Sequence, residues 1–215
     1  MKYDLVIFDL DGTILNTLED LADSTNYALQ THHMPVRTID EVRNFVGNGI
    51  GKLIERAVPA GTDTQVQMQI LEAFKQYYKQ HCADKTMPYA GTEEMILTLR
   101  QNGVRTAVVS NKADFAVQSL CEDYFPKLFD YVVGEREGIR RKPYPDSVLE
   151  VLKQLQIDLK RAVYVGDSEV DIQTAVNAGM DVISVNWGFR KEEFLRENGA
   201  QKIVDSWEEL LAAVL

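Results

Sequence analysis

Residues 5–13 read LVIFDLDGT, and no other stretch of the chain limits its fold so tightly. Leu5, Val6, Ile7, Phe8 and Leu10 are apolar. So short a run, so rich in β-formers, reads as a strand buried on both faces, as in a parallel sheet covered by helices. It ends in two acids, Asp9 and Asp11, and then in Gly12. Carboxylates at the end of a buried strand need a cation, a hydrogen-bond donor or water. In open α/β sheets, ligands bind just beyond the carboxyl ends of the strands. A solvated, Asp-rich turn is the plainer reading of the same residues.

After Gly12 the apolar period becomes helical. Leu18, Leu21, Ala22, Thr25, Ala28 and Leu29 recur at helical spacing, behind a Thr17/Asp20 pair that reads as a capping box. Thr38 and Glu41 form a second such start. Residues 47–51, GNGIG, read as a tight turn, 52–58 as a helix, and 64–81 as a long helix with Ile70, Phe74, Tyr77 and Tyr78 turned inward. From Pro88 the pattern alternates. Helices are expected over 92–102, 114–124, 145–155, 169–177, 192–197 and from 206. Strands are expected over 106–109, 131–133, 162–165, 182–185 and 202–204. This is an α/β chain, a doubly wound, Rossmann-like parallel sheet. About ninety residues separate the first two strands, where a crossover needs only about a dozen. The surplus predicts an inserted α-helical cap subdomain. The expected division is 1–14 plus 87–215 for the catalytic core and 15–86 for the cap. The cap leaves the sheet directly after Asp11, where a lid would sit, with its hinge at the two crossings.

A formal net charge of −10 argues against nucleic acid or an anionic membrane as partner. Any phosphate site must then carry its own local positive charge or a metal. Cys82 and Cys121 are the two cysteines, with no CxxC, and read as free thiols of a cytoplasmic protein. The opening MKYDLV, with acids in the first dozen residues, does not read as a secretory leader. No apolar run approaches the length of a membrane span. Oligomeric state stays open.

Four polar clusters fall on one edge of the expected sheet: Asp9/Asp11, Ser110/Asn111, Lys142 in a loop, and Asp167 with Asp171. Singly, each has an ordinary explanation. Ser-Asn is common turn chemistry, Lys142 could be a surface lysine, and Asp167 could cap the helix that follows. Together they converge where such folds bind ligands. Phosphoryl transfer through an aspartyl phosphate fits them. Three carboxyls and a backbone carbonyl make an oxygen-only site suited to Mg²⁺. Ser110 and nearby backbone N–H groups could hold phosphate oxygens, and Lys142, kept extended by Pro143, adds a point charge.

The set Asp9-x-Asp11-Gly12-Thr13, Ser110, Lys142-Pro143 and Gly166-Asp167-xxx-Asp171 resembles the motifs of the haloacid dehalogenase superfamily, over essentially the whole chain. The resemblance implies a nucleophilic role for Asp9 and a general acid/base role for Asp11, whose main-chain carbonyl would also face the metal. It implies that Asp9 and Asp167 bind Mg²⁺, that Asp171 supports the metal shell and Lys142, and that Ser110 and Lys142 bind the phosphoryl group. Gly12, Thr13 and Asn111 join the expected substrate-binding set. Family members lacking the second Asp are dehalogenases or phosphonate hydrolases, so Asp11 favours phosphate-ester chemistry. Residues 16–25 hold no His, which favours a hydrolase over a β-phosphoglucomutase-like mutase. Asn16, where many relatives carry Asp, reads as a hinge or cap contact. The segments RNFVGNG (43–49) and NWGFR (186–190) are similar to those of phosphoglycolate phosphatases, and Arg43 is the candidate for gripping a substrate carboxylate. The expected partner is thus a small phosphate ester: phosphoglycolate first, then a sugar phosphate, pyrophosphate or a nucleoside monophosphate. A receiver-type phospho-accepting domain is the non-enzymatic alternative, disfavoured by the helical insertion. His32, His33 and His81 read as helix-surface residues, and Phe74, Tyr77 and Tyr78 as cap core.

Overall fold

The computed structural model describes residues 2–215. Its elements run β1 (Leu5–Phe8), β2 (Leu15–Asn16), α1 (Leu18–Thr31), α2 (Ile39–Phe45), α3 (Gly49–Ala57), α4 (Thr64–His81), β3 (Met87–Pro88), α5 (Thr92–Gln101), β4 (Arg105–Ala113), α6 (Asp114–Tyr124), β5 (Tyr131–Glu135), α7 (Asp146–Leu155), β6 (Ala162–Gly166), α8 (Glu169–Ala178), β7 (Asp181–Val185), α9 (Glu192–Glu197), β8 (Ile203–Val204) and α10 (Trp207–Val214). Among the described residues, no helix is long and apolar enough to cross a membrane. The chain divides into two compact units, one formed by residues up to Leu15 with Pro88–Leu215, the other by Asn16–Met87.

The first unit is the expected doubly wound sheet. Its strand order is β5-β4-β1-β6-β7-β8, and every pairing is parallel. β1 lies between β4 and β6, with Phe8 level with both Val108 and Val165. The alternation of side chains along β1 explains the two layers. Val6 and Phe8 enter a core with Met95, Ile96 and Leu99 of α5 and Leu210 of α10. Leu5 and Ile7 enter the opposite core with Val148, Val151 and Leu155 of α7. All four β1 side chains are fully buried, each worth roughly 1.5–3 kcal/mol relative to exposure. That centres the one strand ending in Asp9.

β4 departs from expectation. It does not stop at Val109 but continues to Ala113, with a register shift against β5 between those two residues. Such an irregularity re-aims the side chains within it, and Ser110, Asn111 and Lys112 are all buried. Gly134 of β5 makes room for it: a Cβ there would lie 2.5 Å from the Lys112 carbonyl oxygen and 2.6 Å from the Asp114 Cα.

The second unit is helical. Ala28 and Leu29 of α1, Val42 of α2, Leu53 and Ile54 of α3, and Ile70 and Phe74 of α4 are buried. Phe74 and Tyr78 belong to this interior, whereas Tyr77 stacks on the half-exposed Tyr27 at 4.0 Å between ring centroids. His81 ends α4 partly exposed, as its helix-surface reading requires, whereas His32 and His33 lie just past α1 in its C-terminal turn, partly exposed and exposed. The Thr38/Glu41 capping box is present. The Thr17/Asp20 box is not: the Thr17 side chain makes no capping bond. Asp20 instead accepts the Lys85 N–H at 3.0 Å, the Thr86 N–H at 2.8 Å and the Thr86 hydroxyl at 2.8 Å. A buried carboxylate takes the donors with the greatest need, and here those belong to a chain segment some sixty residues on rather than to its own helix start. The turn at 47–51 is also shorter than expected, because α3 begins at Gly49. Arg56 braces it, donating to the Phe45 carbonyl and the Asn48 side chain at 2.8 and 2.7 Å.

Candidate active site

Asp9 follows β1 directly, and its own N–H donates to the Val165 carbonyl at 2.8 Å, continuing the ladder with β6. Its Oδ1 accepts the Leu10 N–H at 2.7 Å and lies 2.9 Å from Lys142 Nζ. Lys142 spends its other donors on Asp171 Oδ1 at 2.8 Å and the Tyr164 hydroxyl at 3.0 Å. Tyr164 in turn donates to the Val109 carbonyl at 2.9 Å. Burial pushes the Tyr164 phenol well above its ordinary value, so it stays neutral. The three donors of one ammonium are thus fixed by β1, β6 and α8. Burial alone would lower the Lys142 pKa, but the carboxylates of Asp171 and Asp9 hold it well above the usual lysine range.

Asp167 follows β6 as Asp9 follows β1. Its Oδ2 accepts the Phe189 N–H at 2.7 Å, and its Oδ1 lies 3.3 Å from the Thr13 hydroxyl. Asp171 sits in the first turn of α8, where its Oδ2 accepts the Ser168 N–H at 3.1 Å and the Ser168 hydroxyl at 2.6 Å. Ser168, not Asp167, therefore occupies the N-cap. One carboxylate oxygen from each of Asp9, Asp167 and Asp171 lies within 4.8 Å of the others, and all three residues are buried. Burial and the neighbouring Asp171 push Asp167 up to about 7, and the same causes in the same order push Asp9 well above the carboxylate range, against the pull of Lys142. Three buried carboxylates share one paired ammonium, and burial and crowding with Asp171 raise both Asp9 and Asp167. An oxygen-only donor set crowded with like charge fits a hard divalent cation such as Mg²⁺.

Gly12 closes the loop that carries these groups. Its φ is +84°, and a Cβ there would lie 2.4 Å from Asp167 Oδ2, so glycine is required twice over. Asp11 has a separate partner. Its Oδ1 lies 2.7 Å from the Nζ of Lys112, a residue that sequence reasoning missed. Ser110 Oγ accepts the Lys112 N–H at 3.2 Å, and Asn111 Nδ2 donates to the Lys142 carbonyl at 3.1 Å. Ser110 and Asn111 thus lie among the charged groups, with Asn111 bracing the loop of Lys142. Arg43 lies in the helical unit, where it pairs with Asp40 at 2.6 Å, and Asn16 Oδ1 accepts the Leu18 N–H at 3.4 Å.

Lys112 and Tyr164 carry no motif signal. Tyr164 is a mid-strand aromatic, and Lys112 follows Ser110-Asn111 beyond the expected end of the strand at Val109. Arg190, paired with Glu169 at 3.2 Å, falls in the 186–190 segment whose resemblance was noted without a role.

Comparison with known proteins agrees with this geometry. The family profile described as haloacid dehalogenase-like hydrolase matches residues 6–185. The chain is 32% identical to a phosphoglycolate phosphatase of Mesorhizobium japonicum, covering 98% of this chain and 94% of that one. It is 30% identical to a phosphoglycolate phosphatase of Pseudomonas savastanoi pv. phaseolicola, over 98% of this chain and 79% of that one. A crystal structure from Lactobacillus delbrueckii subsp. bulgaricus, described as a candidate phosphoglycolate phosphatase, superimposes with a TM-score of 0.96 at 42% identity, covering 100% of this chain and 99% of that one.

Proposed function

The chain belongs to the haloacid dehalogenase-like hydrolases, and from that premise we propose that it hydrolyses small phosphate monoesters, phosphoglycolate first among them, through an aspartyl phosphate on Asp9. The observation that carries this is the placement of Asp9: a buried carboxylate at the end of the central strand, 2.9 Å from a buried ammonium and beside two further carboxylates. A nucleophile there is fixed in direction and shielded from water. An Asp9 oxygen attacks phosphorus while the ester P–O bond breaks, and the Asp11 carboxyl gives its proton to the leaving oxygen. The Asp11 carboxylate then takes a proton from water as that water attacks phosphorus. The bond between phosphorus and the Asp9 oxygen breaks, returning the Asp9 carboxylate and releasing phosphate. Ser110 would orient the phosphoryl oxygens, while Lys142, whose three donors hold Asp9, Asp171 and Tyr164, would fix the nucleophile and add positive charge beside them; Gly12 and Thr13 form the loop around them. Asp9, Asp167 and the Asp11 carbonyl would hold Mg²⁺, with Asp171 supporting them and Lys142; the metal would supply positive charge that keeps Asp9 ionised and offsets the phosphoryl oxygens.

The names of the relatives support phosphoglycolate as the substrate. A panel of phosphoglycolate, sugar phosphates, pyrophosphate, nucleoside monophosphates and an aryl phosphate, assayed with Mg²⁺, tests it. The expected result is the highest kcat/KM on phosphoglycolate, with an acyl phosphate trapped by rapid acid quench and released by base or hydroxylamine. A preference for another ester of the panel would replace the substrate and keep the mechanism. No turnover of any ester by metal-loaded protein would overturn the proposal.

A further inference from the structure

Two lysine ammoniums are buried beside the strand ends. Lys142 is committed to Asp9, Asp171 and Tyr164. Lys112 holds Asp11 instead, at 2.7 Å, with its side chain 3% exposed and that of Asp11 16% exposed. This pairing keeps the Asp11 carboxylate apart. The oxygens that cluster within 4.8 Å come from Asp9, Asp167 and Asp171, and the charges acting most on Asp9 are those of Asp171, Lys142 and Asp167, not that of the acid two residues on. A buried ion pair is weak evidence for stabilisation, because desolvating both charges offsets much of their attraction. Yet the fold is shaped to keep Lys112 here. The irregular stretch of β4 buries it together with Ser110, and Gly134 leaves room for its backbone. Its N–H also fixes the Ser110 hydroxyl as acceptor at 3.2 Å, which directs that hydroxyl's proton elsewhere.

We propose that Lys112 exchanges partners: without substrate it holds the Asp11 carboxylate turned from the Asp9–Asp167–Asp171 cluster, and a bound phosphoryl dianion draws the ammonium to itself, so that the unpaired Asp11 carboxylate takes up a proton from solvent and then gives it to the leaving oxygen. The proposal rests on the phosphatase function argued above. Its physical basis is competition. One ammonium meets either a single carboxylate charge or a phosphoryl group of about two charges at neutral pH, and in a water-poor site the larger charge wins. Asp11 must reach the leaving oxygen on phosphorus, so its present partner stands within reach of the same group. Proton transfer is then available only once a phosphoryl group is seated. Lys112 is a positioning residue for Asp11 in the free enzyme and a phosphoryl ligand in the complex.

A double-mutant cycle on phosphate binding separates exchange from simple charge repulsion. The probe is inorganic phosphate, titrated by calorimetry into the Mg²⁺-loaded full chain. Asp11→Asn removes the competitor for Lys112, so phosphate should bind roughly tenfold more tightly than to the unaltered protein. On a Lys112→Met background that gain should vanish, while on a Lys112→Arg background, which keeps the charge, most of it should survive. In steady state, Lys112→Met should raise KM for phosphate esters more than it lowers kcat, and Lys112→Arg should restore KM in part. If Lys112→Met fails to fold, Lys112→Gln, which removes the charge and keeps a polar end, takes its place in the cycle, and the same loss of the gain is expected. An Asp11→Asn gain that persists in full without the lysine would be plain repulsion and would overturn the exchange, leaving the phosphatase function intact. An unaltered protein that neither turns over phosphate esters nor binds phosphate would overturn both.

Discussion

Asp9 and Asp11 stand two positions apart and face different partners, and the chemistry assigned to each predicts different consequences of the same substitution. Asp9→Asn keeps the shape and loses the nucleophile, so turnover should be abolished with the fold unchanged by circular dichroism. Asp11→Asn should slow formation and hydrolysis of the phospho-enzyme by about 10²–10⁴-fold, read by rapid quench on labelled substrate. Asp167 carries a pH prediction. In the metal-free folded chain burial and Asp171 raise it to about 7, against an ordinary value near ~3.9 when unfolded. Between those values the folded chain binds more protons than the unfolded one, so stability falls as pH rises through that window. In chelator, the thermal midpoint should therefore drop from about pH 5 to about pH 7.5 on account of this group. Mg²⁺ should restore it, most at the upper end, where protons no longer compete for the carboxylates. A midpoint that Mg²⁺ does not move would remove the three carboxylates from consideration as a metal site.

At the scale of the element, the loop between β1 and β2 and the start of α1 each hang on one residue. Gly12→Ala asks a side chain to adopt a φ of +84° and to enter the space of the Asp167 carboxylate, 2.4 Å away. That carboxylate must move, so Mg²⁺ affinity measured by calorimetry should fall along with stability, whereas Gly103→Ala at a position with open space should leave Mg²⁺ affinity unchanged. Asp20 is the corresponding anchor of the helical unit. Asp20→Ala leaves the N–H groups of Lys85 and Thr86 without their acceptor, at a cost of about 1–3 kcal/mol. Urea unfolding should show that loss, and limited proteolysis should show earlier cleavage near Lys85. The Asp20 case also shows the limit of local reasoning: a T-x-x-D pattern predicts a cap because only neighbours in sequence are considered, and a distant segment with greater need took the carboxylate.

At the scale of the molecule, the proposed catalytic groups would grip only what all phosphate esters share, so we propose that the helical unit sets substrate choice and that Arg43 reads the substrate carboxylate. Its present partner Asp40 is exposed, and such pairs contribute little to stability. Arg43→Ala should thus lose little stability through that pair. It should lower kcat/KM for phosphoglycolate by about 2–5 kcal/mol of transition-state binding if a desolvated charge pair is lost, and much less for an aryl phosphate. Equal losses on both substrates would assign Arg43 to structure instead.

The chain by itself determined the α/β class, the parallel sheet, helices such as α4 and α6 to the residue, and the strand ends where Asp9 and Asp167 emerge. Those features follow from periodicity and from turn and cap chemistry among near neighbours, which any short window of sequence carries. Only the tertiary structure decided how the charges pair. Lys112 meets Asp11 across 101 residues, Lys142 meets Asp171 across 29 and the Tyr164 hydroxyl across 22. These partnerships depend on the register of parallel strands, on an irregular stretch of β4 and on a glycine in the adjacent strand that admits it. A lysine after Ser-Asn looks the same in sequence whether it faces water or a carboxylate. Burial makes the difference, because a desolvated ammonium must find an anion, and the fold supplies Asp11.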